Sequence, residues 1–132
     1  MQFSDLLHVV GVTILNIILG MLWYSPALLG RKWAHAYKFD MQKLKPTPWH
    51  FVGSIVVSFV TALIIDVLVN QFVIITWQRG LLLGFYLWLG LIVTTHFSGV
   101  IWARKPLKAY FIDIGYQLVS LLMMSALLAG WK

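Results

Sequence analysis

Along the chain, four stretches of nearly unbroken apolar residues, about 6–29, 49–69, 80–103 and 109–131, are divided by short polar segments. A hydrocarbon core of about 30 Å takes roughly 20 helical residues to cross, and each stretch is long enough. None alternates between apolar and polar, so barrel strands are not indicated; in lipid each segment must also satisfy its own backbone groups, which a helix does. The pattern predicts an all-α membrane protein, a single domain whose four transmembrane helices form an antiparallel, left-handed bundle. Between 70 and 79 the apolar group Phe72–Ile75 either prolongs the second helix or lies along the interface. After Pro26, which ends or kinks the first span, a smaller pattern follows. Trp33, Tyr37, Met41 and Leu44 recur at helical spacing, with Arg31, His35, Lys38, Gln42 and Lys45 on the other side. This predicts a short cytoplasmic interfacial helix over 31–45, seated among anionic lipid head groups and stopped by Pro46 and Pro48.

Composition agrees with lipid as the main solvent, since 61% of the 132 residues are hydrophobic and 11% charged, against roughly 25% charged in soluble domains. The net charge of +6 does not point to nucleic acid, because the basic residues lie between the apolar runs. Arg31, Lys32, Lys38, Lys43 and Lys45 precede the second span and Arg104, Lys105 and Lys108 precede the fourth. Only Arg79 and Lys132 fall on the opposite side. The positive-inside rule then places both termini outside and both basic loops in the cytoplasm, with the protein multi-pass in the inner membrane. A bias this strong argues against dual topology. The first run follows Asp5 rather than a positive segment and is too long for a signal-peptide core, so it is expected to be retained. Cysteine is absent, which removes disulfides, thiol nucleophiles and iron–sulfur clusters.

Polar residues inside the spans are the candidates for function, because an unpaired charge at mid-bilayer costs at least about 2.5–3.5 kcal/mol. Asp113 and His96 fall at similar depth in the inner half, and the short link through Pro106 makes their helices neighbours, so the two are expected to pair. Asp66 and His8 share a level on the outer side. In the fourth span Asp113, Gln117, Ser120 and Met124 lie along one face, with Tyr110 and Tyr116 beside it. That stripe either lines a solute or proton path or bonds helices and subunits together. Asn16, with Thr13 and Gly20 at near-helical spacing, reads as a packing seam and as a deep polar residue able to line a path. Gly80 with Gly84, and Thr95 with Gly99, are small-residue pairs that let backbones approach, within or between protomers.

Trp23, Tyr24, Trp33, Tyr37, Trp49, Trp102 and Tyr110 gather at the expected inner interface, and Trp77 and Trp131 at the outer one, as an aromatic belt. Of the four histidines only His50 and His96 approach a shared depth, too imperfectly for a haem or metal site, so no metal, cofactor or catalytic grouping is expected. Gly11, Gly20 and Trp23 recur with the same spacing as Gly90, Gly99 and Trp102, a pattern that a parallel duplication of a two-helix unit would produce.

The segment Gly20-Met21-Leu22-Trp23-Tyr24-Ser25-Pro26, then Gly30 and Trp33, resembles the opening motif of the bacterial membrane family called domain of unknown function 1761. Arg104-Lys105-Pro106-Leu107-Lys108 and Gly115-Tyr116-Gln117-Leu118-Val119-Ser120 resemble its closing part. The resemblance implies four spans in one small domain and supplies no activity. From the polar stripe the leading expectation is an oligomeric channel or transporter for an ion or small solute, not an enzyme, with Asp113, His96, Gln117, Ser120, Tyr116, Asn16 and Asp66 lining it. Four short helices enclose little space alone, so a homo-oligomer is expected. The rival expectation is a non-catalytic scaffold that binds lipid or a larger membrane complex through its aromatic and basic surfaces; an enzyme acting on lipid ranks third.

Overall fold

In the computed structural model, residues 3–25, 28–37 and 48–131 are described, and among them there are helices and turns but no strand. In order they form α1 (Phe3–Trp23), α2 (Gly30–Ala36), α3 (Pro48–Gln71), α4 (Trp77–Leu87), a π-helical segment (Trp88–Val93), α5 (Thr94–Trp102) and α6 (Leu107–Gly130). α4, the π segment and α5 run on as one rod. Four helices, Asp5–Trp23, Pro48–Gln71, Trp77–Trp102 and Leu107–Gly130, are therefore long and apolar enough to cross a membrane.

Helix α6 is the hub, packed against α1, α2, α3, α4 and α5. Its Leu121, Met124, Leu128 and Ala129 meet Val9 and Val12 of α1 and Ala62, Ile65 and Val69 of α3 in a dry core. Outside this core the large side chains point away from the protein: Ile14, Ile18 and Leu22 on α1, Val52, Val56 and Val60 on α3, and Leu82, Phe85 and Leu89 on the α4 rod are all exposed. A soluble monomer rarely shows apolar patches of this extent; a hydrocarbon solvent removes their cost.

Helix α1 ends at Trp23, not near 29 as the apolar run predicts. The Ser25 hydroxyl donates to the Leu22 carbonyl at 2.8 Å, and the backbone turns so that Leu29 N–H reaches the Trp23 carbonyl at 3.1 Å and Gly30 N–H the Ser25 carbonyl at 3.0 Å. Pro26 lies outside the described residues. The turn is tight enough to require glycine: a Cβ on Gly30 would stand 2.0 Å from the Tyr24 carbonyl oxygen. Of the interfacial helix expected over 31–45, the described part is α2, which leans on α6 with Ala34 buried; Lys38, Met41, Gln42, Lys43, Leu44, Lys45 and Pro46 lie outside the described residues.

The segment after Asn70 extends α3 only to Gln71 and then turns. Ile74 N–H bonds the Val69 carbonyl at 2.8 Å and Val73 N–H the Asn70 carbonyl at 3.2 Å, which is the Schellman pattern. Val73 takes the left-handed position, φ 53°, normally filled by glycine because a β-branched side chain is strained there. Ile74 packs back on the core beside Val69. Thr76 then caps α4, its side chain accepting from Arg79 N–H at 3.3 Å.

The π segment interrupts a span expected to be regular. Two bonds to α6 support it: Trp88 Nε1 donates to the Ile114 carbonyl at 2.7 Å, and the Tyr110 hydroxyl donates to the Val93 carbonyl at 3.1 Å. The matched triplets do not occupy matched surroundings. Gly20 touches the Tyr116 side chain while Gly90 and Gly99 face open space, and Trp23 is bonded to α6 while Trp102 is 84% exposed.

Candidate functional site

A polar node joins three helices. Asn16 of α1, nearly fully buried, donates through Nδ2 to Ser58 Oγ of α3 at 2.9 Å, and its Oδ1 accepts from the Ser120 hydroxyl of α6. The Tyr116 hydroxyl approaches the same Oδ1 at 3.3 Å. Gly20 permits this, since a Cβ there would lie 3.1 Å from the Tyr116 oxygen. One amide thus answers three hydroxyls from two other helices. Inside lipid, where no water competes, such a node specifies which faces meet.

The node is also part of the wall of a cavity. Between α3 and α6 lies an open groove of about 600 Å³, with Ile92 of the π segment on its far side. Its α3 wall is Trp49, His50, Gly53, Ser54, Val57, Ser58 and Thr61. The α6 wall is Tyr116, Gln117, Ser120, Leu121 and Met124, with Asn16 at the back. Ser54, Ser58 and Thr61 stand at i, i+4 and i+7, so they share a face of α3. Among the described residues, no Asp, Glu, Lys or Arg lines the groove. Its wall offers hydroxyls, amides and one imidazole beside aliphatic surface. From the Trp49 end the groove runs to Thr61, twelve residues or about 18 Å along α3. Beyond that, the dry cluster of Val9, Val12, Ile65, Val69 and Leu128 fills the space between the helices.

A second polar cluster lies near the C-terminal end of α1, apart from the groove. Asp113 of α6 accepts from the Tyr24 hydroxyl on one oxygen and pairs with Lys105 Nζ at 2.6 Å on the other. Lys105 also stands 3.5 Å from His96 Nδ1. The expected Asp113–His96 pair is therefore mediated: the lysine sits between them because its flexible stem carries the ammonium back from the turn, whereas the His96 ring is held on α5. Arg104, φ 56°, sets that turn. Burial first, and then the Asp113 carboxylate, push the Tyr24 pKa well above the usual phenol range, so the hydroxyl remains a donor at ordinary pH. Trp23 completes the corner, its Nε1 donating to the Ile112 carbonyl at 3.1 Å and its ring lying over Gly115, where a Cβ would be 3.2 Å from Cζ2.

Of the candidate lining residues, the structure brings Asn16, Tyr116, Gln117 and Ser120 to one groove. Asp113 and His96 lie in the Lys105 cluster. Asp66 is 0% exposed in α3, with Asn70 Nδ2 donating to it at 3.3 Å, and does not line the groove. The aromatic group divides. Trp49 and Trp102 are exposed, while Trp23, Tyr24 and Trp33 are half-buried and Tyr24, Trp33 and Tyr37 pack edge to face in succession. Sequence reasoning passed over Ser54, Ser58 and Thr61, whose helical spacing in the second span was the available signal, and weighed His50 only as a metal ligand. It also counted Lys105 only as a loop charge. Among the described residues no group of three His, Cys, Asp or Glu side chains is placed to hold a metal.

Comparison with known proteins gives a family and nothing further. No curated protein and no solved structure matches the chain. A family model described as "Protein of unknown function (DUF1761)" matches residues 7–129, which takes in all four long helices, the groove and the Lys105 cluster. By that match over nearly its whole length, the chain belongs to the DUF1761 family.

Proposed function

We propose that this protein is a multi-pass inner-membrane transporter that binds a small uncharged solute in the groove between α3 and α6. The observation that carries the proposal is the groove itself: about 600 Å³ of space with convergent hydroxyl and amide groups, in the usual size range for ligand sites, inside a chain whose outer surface is apolar. Among the described residues of its wall there is no Asp, Glu, Lys or Arg, which disfavours an ion as cargo, because a desolvated ion needs an opposite charge or a dense ring of oxygens. The dry cluster beyond Thr61 leaves one protomer without a continuous path, so the mode is alternating access rather than an open pore.

The remaining parts of this proposal concern placement. Eight basic residues against two put both termini outside, an antiparallel order for the four spans, the Trp49 mouth of the groove on the cytoplasmic side, and α2 at the inner interface with Arg31 and Lys32 among anionic head groups. Association of protomers would give the exposed, open backbone at Gly90 of the α4 rod a partner.

The test is flux through liposomes. Purified protein should give saturable movement of small neutral solutes, hydrophilic or amphiphilic, without a proton or cation leak, and the double variant Ser58→Leu/Ser120→Leu, which fills the groove, should remove it. Unsaturable leak, or equal flux in the filled variant, overturns the proposal. A complete absence of flux favours the scaffold role, for which the exposed Trp49 and Trp102 would be the contact points.

A further inference from the structure

Gln117, like Ser54, differs from the bonded polar groups of the groove. Thr61 satisfies its hydroxyl on the Val57 carbonyl at 2.8 Å, and Asn16, Ser58 and Ser120 satisfy one another. The Gln117 side chain, half-buried on α6, lines the groove with no hydrogen bond to any described residue. It sits ten residues from the start of α6, about 15 Å along the helix, where a bare amide in hydrocarbon costs several kcal/mol. One donor group and one acceptor are therefore presented, uncommitted, at mid-depth.

The groove around it is two-sided. Ser54 and Gln117 offer polar atoms, while Val57 and Ile92 offer aliphatic surface, backed by the buried Leu121 and Met124. Access is lateral as well as from the Trp49 end, because α3 packs on α1 and α6 while the opposite wall is Ile92 of the π segment. A slot there faces the acyl chains of a bilayer rather than water. Residues flanking it outside the groove, Val56 and Val60 on α3 and Leu89 and Leu91 on the π segment, are exposed and apolar.

We propose that the ligand of this groove is an uncharged amphiphile drawn from the bilayer, a hydroxyl or amide head on an aliphatic tail, with Gln117 binding the head and the Val57–Ile92 slot admitting the tail. This rests on the proposed transport function and names its substrate class. A free water-soluble solute would use only the polar wall and leave the aliphatic one, at equal depth, without a role. A fatty acid or phospholipid head would bring a charge that no described residue of the wall neutralises. The Gln117 amide instead matches a hydroxyl or amide as both donor and acceptor.

The experiment uses the full-length protein in liposomes with a diazirine-bearing long-chain alcohol, its labelled sites mapped by mass spectrometry. Val57 and Ile92 should be labelled, and excess unlabelled alcohol should suppress that labelling. The matching carboxylic acid at alkaline pH should label them at least tenfold less. Gln117→Leu, which keeps the bulk and adds apolar surface, should lower alcohol labelling about tenfold at unchanged melting temperature, and Gln117→Asn should restore part of it. Equal labelling of groove and of lipid-facing Val60 and Ile64, equal labelling by acid and alcohol, or indifference to Gln117→Leu each overturns the proposal. Saturable flux of small neutral solutes combined with any of those results would leave the transport function standing and discard the amphiphile alone.

Discussion

Helix α6 meets its two large neighbours in opposite ways. Toward α4 it is closed: a Cβ at Gly80 would stand 2.4 Å from the Ser125 carbonyl oxygen, and one at Gly84 would stand 2.7 Å from that of Leu121. Toward α3 it meets the dry core on one half and the groove on the other, and Gly53 on the groove wall has nothing within 4 Å. The same residue type thus serves contrary ends. In a lipid solvent no hydrophobic force drives helices together, so association depends on backbone approach and on polar contacts. The α4 seam uses the first device and the Asn16 node uses the second, which holds three helices together without filling the space beside it.

The largest effect should come from Gly80→Ala. Its new Cβ meets backbone, which cannot rotate away, and the loss should be about 3 kcal/mol, read as a fall in melting temperature in detergent or bicelles. Gly53→Ala, in a helix and in open space, should instead raise stability by about 0.5–1 kcal/mol. If the two changes behave alike, the contrast between the seams fails.

Asn16→Leu attacks the other side. Ser58 and Ser120 lose their shared partner in a buried place, at a cost of about 1–3 kcal/mol. Combined with Ser58→Ala the losses should be less than additive, because the second change removes a group already orphaned; a double-mutant cycle by reversible unfolding in micelles measures this. Simple additivity would mean that the node is a set of separate contacts.

Tyr24→Phe probes the corner beside Asp113. One donor is lost while Lys105 remains, so the cost should be about 1 kcal/mol, and added salt should weaken the variant more than the parent because the carboxylate then depends on the ion pair. No change in salt sensitivity would show that Lys105 alone holds the carboxylate.

The smallest effect expected is a gain. Val73→Gly relieves the left-handed valine in the turn that sets α4's position relative to α3, and should add about 0.5 kcal/mol, the relief of roughly 1–2 kcal/mol being partly offset by the freedom glycine has when unfolded. Unfolding monitored by circular dichroism would check it, and a loss would mean that Val73 is held by contacts stronger than its strain.

The number, type and approximate limits of the long helices were legible because they depend on local properties: a run of about 20 apolar residues reports a span whatever it packs against. Trp49–Val69 and Ala109–Trp131 needed changes of one or two residues at each end. Pro26 signalled an end or kink in the first span, but its place at Trp23 was not legible, because Ala27, Leu28 and Leu29 continue the apolar run and hydropathy does not register the turn that Ser25 and Gly30 make. The polar stripe on α6 was visible as a stripe. Which of its members face a cavity was not.

Sequence by itself determined a lipid-compatible, four-helix chain, its charge asymmetry, its family and the residue types available in mid-span. All of these follow from composition and spacing along one segment at a time. Tertiary structure alone decided that Lys105 stands between Asp113 and His96, that Trp23 and Trp88 bond to α6 rather than to an interface, and that Ser54, Ser58 and Thr61 join Gln117 across a groove. Each depends on the rotation of one helix about its axis against another. That rotation is set by close contacts such as Gly80 on Ser125 and Asn16 between Ser58 and Ser120, between residues 42 to 104 positions apart in the chain; within a single apolar helix every face looks alike to lipid, and only the neighbours distinguish them.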